Sequence, residues 1–240
     1  MFMETIRDFI AFLIRPSFSV RTHQSWRLLW RPLLVILSLK LVVTYTLIAI
    51  LSYYKGSVGF EREEIESVLG EEWWQILLLA VIVGPVAEEM IFRGPLTRRP
   101  VPVLIGASAA AALGTYFLIV FVFESFGWPL SLRRIALLSL PFASAGLVFW
   151  IICRFQKQDR LGPLLEKALP FLFYGMAVAF GLFHLNNYAT DWLLAAPMAL
   201  NPFFGAVVYG FARIKWGLLP AVLLHMGNNG VAFFLDVVLA

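Results

Sequence analysis

The chain has 240 residues, of which 60% are hydrophobic and only 14% are charged, and its formal net charge is +4. The apolar residues come in runs of about twenty, the length of helix that crosses the hydrocarbon layer of a bilayer. A soluble domain would instead show amphipathic stripes bounded by charged faces. The composition therefore excludes a soluble protein and predicts an all-α fold, a polytopic bundle of transmembrane helices.

Residues 1–30 precede the first long apolar run and are predicted to form a cytoplasmic interfacial segment. Five apolar side chains of this segment share one helical face: Phe2, Ile6, Phe9, Ile10 and Leu13. Such a stripe is typical of helices that lie along a membrane surface. A secretory signal is not indicated, because the apolar part is short and is interrupted by Arg15. We expect the segment to anchor or dock the chain at the bilayer.

Residues 31–240 are predicted to form one transmembrane domain, without linkers or internal repeats. About seven spans are expected, with limits near 31–54, 74–96, 101–123, 134–154, 170–190, 192–212 and 216–239. Most lysines and arginines outside the spans fall on the side of the N-terminus, and the positive-inside rule places that side in the cytoplasm. The expected location is a bacterial cell membrane. The positive charge is thus an orientation signal, and no nucleic-acid partner is predicted.

Two residues within these spans are interpreted as structural. Lys40 lies in the first span, and we expect its ammonium group to extend toward the cytoplasmic interface. Cys153 is the single cysteine of the chain, so it makes no intramolecular disulfide. A packed, unreactive thiol is expected at this position.

The end of the second span carries three charges in the segment VAEEMIFRGP. A charge at the bilayer centre costs about 2.5–3.5 kcal/mol, so these residues need partners, water or a function. Glu89 and Arg93 are four residues apart, which is the spacing of a helical ion pair. Glu88 points about 100° away from Glu89 around the helix and is not placed to share this pair.

Glu88 is the candidate general base of this segment. Gly84-Pro85 lies one turn upstream, and because proline removes a backbone hydrogen bond, we expect a bend that admits water. A carboxylate in a partly wetted apolar cavity can take a proton from water. A structural cluster of Glu88, Glu89 and Arg93 that packs helices together explains the same residues equally well.

Two further stretches place polar residues in apolar spans. FGLFHLNN puts His184 in the fifth span, four residues after Phe180. LLHMGNNG puts His225 and Asn229 four residues apart, so that both lie on one face of the seventh span. Two side chains on one face can donate hydrogen bonds to a single oxygen between them. The alternative interpretation is that these polar groups only hold helices together.

The segments EEMIFRG, FGLFH and HMGNN, in this order and within predicted spans, resemble the EExxxR, FxxxH and HxxxN motifs of the CPBP family. That family, also called Abi, contains CAAX prenyl proteases of the Ras-converting type and bacteriocin-processing proteins. The resemblance covers the motif region at 86–229 and implies an intramembrane endopeptidase with an all-helical core. One departure is that two extra hydrophobic segments, 101–123 and 134–154, separate the first two motifs.

The resemblance also implies roles for the motif residues. Glu88 and His184 would activate a water molecule, while His225 and Asn229 would stabilise the oxyanion. The residues that would complete the polar cluster are Glu89 and Arg93. The implied partner is a membrane-associated peptide or protein substrate, which would reach the site along the lipid bilayer.

The sequence leaves cofactor use and the class of function open. No cofactor is firmly predicted, but zinc is an option because Glu88, His184 and His225 would make an acceptable three-ligand site, although no HExxH helix is present. A proton-coupled transporter could use the same residues as a relay, although the paired repeats common in transporters are not seen. A non-catalytic membrane scaffold is a third class. The oligomeric state is not indicated.

Overall fold

The structure, a computed structural model, describes residues 2–18, 26–58, 73–97, 130–157, 161–187 and 192–235, together with isolated positions between 108 and 123. All regular secondary structure in these ranges is helical, which confirms the predicted all-α class. The chain divides into two compact units, one formed by Met1–Glu89 and Leu169–Ala240 and the other by Met90–Ala168. The candidate site described below is built from the first unit.

The described helices are, in chain order, α1 (Phe2–Ile14), α2 (Trp26–Val58), α3, α4 (Leu130–Lys157), α5 (Leu161–Phe183), α6 (Trp192–Ala195), α7 (Leu200–Lys215) and α8 (Leu218–Phe233). Helix α3 is composite: it consists of α-helical Trp73–Ile76, π-helical Leu77–Val83 and α-helical Gly84–Phe92. Two 3₁₀ turns, His184–Asn187 and Ala196–Ala199, follow α5 and α6.

Helices α2 and α5 each contain a segment that is long and apolar enough to cross a membrane. These segments are Leu28–Tyr54 and Gly162–Phe183, with 27 and 22 residues. Only 17% of the most apolar part of α2 is buried, whereas the core helix of a soluble protein would be mostly buried. Contact with lipid therefore explains the exposed apolar side chains of α2. Shorter apolar helices cover Ser139–Ile151 and Leu218–Phe233.

The predicted number of about seven spans is not confirmed. Two helices among the described residues meet the length and apolarity of a span, and the predicted third span, 101–123, lies largely outside those residues. The predicted fifth span, 170–190, differs from α5, which begins at Leu161 and ends at Phe183. Pro170 lies inside this helix instead of beginning it, because membrane helices tolerate proline where neighbouring groups satisfy the freed carbonyl.

Helix α1 packs on the first unit through two phenylalanines. The rings of Phe9 and Phe211 meet edge-to-face with centroids 5.1 Å apart. The rings of Phe12 and Phe173 meet in the same way at 5.0 Å. These contacts attach the N-terminal helix to α5 and α7.

The predicted apolar stripe of α1 is divided between two surroundings. Phe9 is buried, whereas Phe2 and Ile10 are exposed, by 58% and 51%. Exposed apolar side chains on a helix already attached to the protein agree with the expected contact with a membrane surface. The division into an interfacial segment, 1–30, and a transmembrane domain, 31–240, stays a prediction.

Lys40 is buried inside the first unit instead of reaching the interface. Its side chain is 2% exposed, and its ammonium donates hydrogen bonds to the Thr44 hydroxyl and, at 2.9 Å, to Asn201 Oδ1. Thr44 lies one turn further along α2, away from the end at which snorkelling was expected. That prediction is therefore wrong, because two oxygen acceptors within the helices satisfy the ammonium.

Helices α7 and α8 form a hairpin whose turn consists of Trp216 and Gly217. The backbone N–H groups of both residues donate to the Ala212 carbonyl, at 2.8 and 3.1 Å. Gly217 has a φ of +112°, a conformation that residues with a side chain rarely adopt. This turn ends α7 and starts α8, the helix that carries His225 and Asn229.

Candidate active site

The site is built around His225, whose imidazole lies between two glutamates of α3. His225 Nδ1 is 3.0 Å from Glu89 Oε1, so its N–H donates a hydrogen bond to that carboxylate. His225 Nε2 is 3.7 Å from Glu88 Oε2, which is too long for a direct hydrogen bond. Glu89 is fully buried, whereas the side chain of Glu88 is 26% exposed. The two adjacent glutamates therefore contact the same imidazole but differ in burial.

Two aromatic rings fix the plane of the His225 imidazole. Tyr209 of α7 stacks on it, with centroids 4.5 Å apart and an interplanar angle of 17°. Phe180 of α5 meets it edge-on at 5.9 Å. Tyr209 is not identifiable from the sequence, because a tyrosine within an apolar helix carries no motif. Only the packing of α7 against α8 indicates its position.

Asn229 lies one turn after His225 and is hydrogen-bonded to α3. Its Nδ2 donates to the Ala80 carbonyl at 2.9 Å, and its Oδ1 accepts a hydrogen bond from Asn228 Nδ2 at 3.1 Å. These two contacts fix the orientation of the carboxamide, with Nδ2 toward Ala80 and Oδ1 toward Asn228. A side-chain amide has two N–H groups, so one remains for an oxygen brought to the site. This role of Asn228 is not visible in the sequence, where the residue stands beside the HxxxN spacing.

The Ala80 carbonyl can accept this bond because of the π-helical stretch of α3. In a π-helix each carbonyl pairs with the N–H five residues later, and five residues after Ala80 is Pro85, which has no N–H. Pro85 therefore leaves the Ala80 carbonyl available to the Asn229 side chain. The structure places π turns directly before Gly84-Pro85, and the bend that admits water, expected from the sequence, stays a prediction.

His184 begins the 3₁₀ turn that follows α5. Its Nδ1 lies 2.8 Å from the Phe180 carbonyl, so the Nδ1–H donates there and Nε2 of the neutral ring is an acceptor. The Phe180 ring lies 4.4 Å from the His184 ring and also contacts His225. The Phe180 ring thus contacts the imidazoles of both His184 and His225. Phe180 is therefore the residue that connects His184 to the Glu88–Glu89–His225 cluster.

Arg93 belongs to the second compact unit, whereas Glu88 and Glu89 belong to the first. It follows the end of α3 at Phe92 and is 1% exposed. A guanidinium this deeply buried must have its charge compensated. The Glu89–Arg93 ion pair stays a prediction from the four-residue spacing, since the contact established for Glu89 is that with His225.

The residues that the structure describes contain no group of three or more histidine, cysteine, aspartate or glutamate side chains that could hold a metal ion. Nδ1 of His225 is engaged by Glu89, and Nδ1 of His184 by the Phe180 carbonyl. Both rings therefore keep Nε2 for a ligand, and hydrogen bonding of the other nitrogen to a carboxylate or carbonyl is usual for metal-binding histidines, so the zinc option of Glu88, His184 and His225 stays a prediction. What the arrangement does provide is a partly exposed glutamate side chain whose buried Oε2 atom faces an imidazole, with an amide fixed nearby.

Comparison with known protein families supports the resemblance seen in the three motifs. The chain matches the family model described as type II CAAX prenyl endopeptidase Rce1-like over residues 70–231, about two thirds of its length. This range contains all three motifs and both hydrophobic segments that separate the first two. Searches of curated proteins and of solved structures found no match. The chain therefore belongs to the Rce1-like family of type II CAAX prenyl endopeptidases, integral membrane proteases that act on membrane-associated protein substrates.

Proposed function

We propose that this protein is an intramembrane endopeptidase that hydrolyses a peptide bond of a membrane-associated peptide or protein. The observation that carries the proposal is the position of His225 between Glu88 and Glu89, with the Asn229 carboxamide fixed one turn away. The family supports peptidase chemistry, and its name makes a prenylated C-terminal peptide the first substrate to test. We further propose a multi-pass protein of a bacterial membrane with a cytoplasmic N-terminus.

In the proposed mechanism, a water molecule bridges Glu88 Oε2 and His225 Nε2. The 3.7 Å between these atoms is too long for a direct hydrogen bond, and a water lying beside both atoms would contact each of them. Glu88 Oε2 is itself buried, so this water would be enclosed between the two side chains. Glu88 takes a proton from this water as the oxygen attacks the peptide carbonyl, and it gives that proton to the amine nitrogen as the C–N bond breaks. His184, whose neutral ring presents Nε2 as an acceptor, assists this step.

The developing oxyanion would accept hydrogen bonds from His225 and Asn229. Protonated at Nε2, His225 can donate from that nitrogen while Nδ1–H remains bonded to the buried Glu89 carboxylate. Asn229 contributes the N–H that is not donated to Ala80. Loss of one such donor commonly lowers kcat about 10²–10³-fold. Glu89 orients the imidazole in this scheme, and Arg93 completes the polar cluster of the motif.

The proposed base is tested with Glu88→Gln, which keeps the size of the side chain and removes its ability to accept a proton as a carboxylate. We expect kcat to fall at least about 10²-fold. The assay is cleavage of a farnesylated peptide with a C-terminal CAAX sequence, and of the same peptide without the lipid, by the full chain in vesicles. Glu166→Gln is the matched control, because Glu166 is a half-buried glutamate of α5 outside the site.

Wild-type cleavage by the Glu88→Gln variant would remove Glu88 as the base. If the wild-type chain cleaves neither peptide but conducts protons across the same vesicles, the peptidase proposal fails. The proton-coupled transporter considered from the sequence is then the better explanation. No feature of the site specifically favours that transporter.

A further inference from the structure

A cavity of about 230 Å³ lies where α1, the start of α2 and the α7–α8 turn meet. None of its lining residues belongs to the candidate active site. It is smaller than the roughly 300–1,000 Å³ of pockets that hold drug-sized ligands, so its volume suits a small polar group and not a folded peptide. Its walls carry charges of both signs, which come from different helices.

One wall of the cavity presents hydrogen-bond donors. Arg31 lies at the start of α2, and the interaction that the described residues give it is a stack on Trp30 at 5.3 Å, which leaves its N–H groups available. The indole Nε1 of Trp216 is buried and has no hydrogen-bond partner among the described residues. Lys215 lines the same cavity. The guanidinium and the indole N–H together suit a phosphate group, beside the Lys215 ammonium, which is paired with Asp8.

The other wall is acidic. Glu4 and Asp8 are four residues apart on α1, so they lie on one face of that helix, and both line the cavity. Asp8 also forms an ion pair with Lys215. Two carboxylates would repel a ligand of net negative charge and would attract a primary ammonium group. A ligand with a phosphate and an ammonium matches both walls.

The position of the cavity indicates that this ligand is a lipid. Leu28 lines the cavity and is also the first residue of the candidate membrane span of α2, so the cavity lies at the depth of the headgroups. Trp30 beside it is 52% exposed, as expected for an aromatic residue at the membrane interface. We propose that the cavity binds the headgroup of a phosphatidylethanolamine molecule of the surrounding bilayer, which holds α1 against the membrane.

The test measures lipid retention by the full chain in detergent, using native mass spectrometry. Dioleoyl phosphatidylethanolamine, phosphatidylcholine and phosphatidylglycerol are added separately. We expect phosphatidylethanolamine to bind at least about ten-fold more tightly than phosphatidylglycerol, since charge-assisted hydrogen bonds to both walls are available only to the former. Phosphatidylcholine should bind more weakly as well, because its quaternary ammonium cannot donate hydrogen bonds to Glu4 and Asp8.

Arg31→Gln should weaken phosphatidylethanolamine binding about ten-fold, and Trp216→Phe, which removes one N–H, should weaken it to a smaller extent. The matched control is Arg154→Gln, because Arg154 is an exposed arginine that also stacks on a tryptophan, Trp150, at 5.8 Å. Unchanged thermal unfolding midpoints in lipid-free detergent show that the variants fold. If either Arg31→Gln or Trp216→Phe fails to fold, the remaining variant carries the test.

Equal retention of phosphatidylethanolamine and phosphatidylglycerol would overturn the proposal. So would equal effects of Arg31→Gln and Arg154→Gln. In a further arm, free O-phosphoethanolamine competes with the lipid. If it binds as tightly as the lipid, the site is one for a soluble phosphate compound and the lipid assignment fails. Weak competition supports the lipid, because the acyl chains then contribute to binding.

Discussion

At the scale of single residues, the surroundings of His225 depend on a contact between residues 136 positions apart in the chain. The spacing within EEMIFRG assigns Glu89 to Arg93, because a four-residue separation on one helix is visible in the sequence. The bond from His225 to Glu89 joins two different helices, and no local pattern reports it. A buried carboxylate bonded to one imidazole nitrogen determines where the other nitrogen points.

The role of Glu89 is tested with Glu89→Gln. The amide oxygen can still accept the His225 hydrogen bond, but the negative charge that stabilises a protonated imidazole is lost. We expect kcat to fall about 10²–10³-fold with KM nearly unchanged, because the interaction matters only as the oxyanion forms. The measurement is steady-state cleavage of the peptide used for Glu88→Gln, with the unfolding midpoint as the check on folding. An increase in KM alone would assign Glu89 to substrate binding instead.

At the scale of helices, α3 connects a proline to the position of a side chain on another helix. The sequence predicts a distortion at Gly84-Pro85, since proline cannot donate to the preceding turn. It does not predict π turns. In a π-helix the hydrogen bonds join residues five apart instead of four, and over a stretch of seven residues this difference is too small to be seen in the hydrophobic periodicity. The consequence for the site, an available Ala80 carbonyl, also requires knowing that α8 lies beside α3.

Pro85→Ala should make the protein more stable and less active. The new N–H can pair with the Ala80 carbonyl, which then no longer holds Asn229, and removal of a helix-interior proline gains up to about 3 kcal/mol. We expect a higher unfolding midpoint and at least about a ten-fold lower kcat. Pro170→Ala removes a proline inside α5 and is the control. Equal activity of the two variants would show that the Asn229–Ala80 bond is not needed.

Gly84 is required for a different reason, which is close approach of the backbone. A Cβ at this position would lie 2.8 Å from the Leu79 carbonyl oxygen, closer than van der Waals contact allows. Gly84→Ala should therefore destabilise the protein by about 1–3 kcal/mol. The control is Gly175→Ala in α5, where a Cβ meets no atom within 4 Å and alanine should stabilise the helix by about 0.5–1 kcal/mol. Unfolding midpoints in detergent compare the two.

At the scale of the whole molecule, the sequence predicts the class of the fold and the family better than the arrangement of helices. The apolar composition is enough for an all-helical membrane protein, and three short motifs are enough for the family. The number of spans cannot be read from the apolar runs in the same way. A run of about twenty residues can contain short helices and turns, as it does in 192–215. The burial of Lys40 was not predictable because its acceptor Asn201 is 161 residues away.

The Lys40–Thr44–Asn201 cluster joins α2 to α7, so it should contribute to the stability of the whole first unit. Asn201→Leu removes an acceptor from a buried ammonium and should lower the free energy of unfolding by about 3 kcal/mol. The double variant Lys40→Met with Asn201→Leu should recover most of this loss, because apolar residues then replace both partners. The midpoints of thermal unfolding in detergent measure both effects. No recovery would mean that the cluster does more than satisfy its own charge.

Gly217 determines the rotational setting of α8, although it lies eight residues before His225. Each residue of a helix advances about 100° around the axis, so the direction in which the first residue leaves the turn is inherited by every side chain that follows. The φ of +112° at Gly217 is the origin of that setting. A bulkier residue there would rotate α8 about its axis, and His225, Asn228 and Asn229 would all change direction by the same angle. The site can thus be misaligned as a block while all of its own residues remain intact.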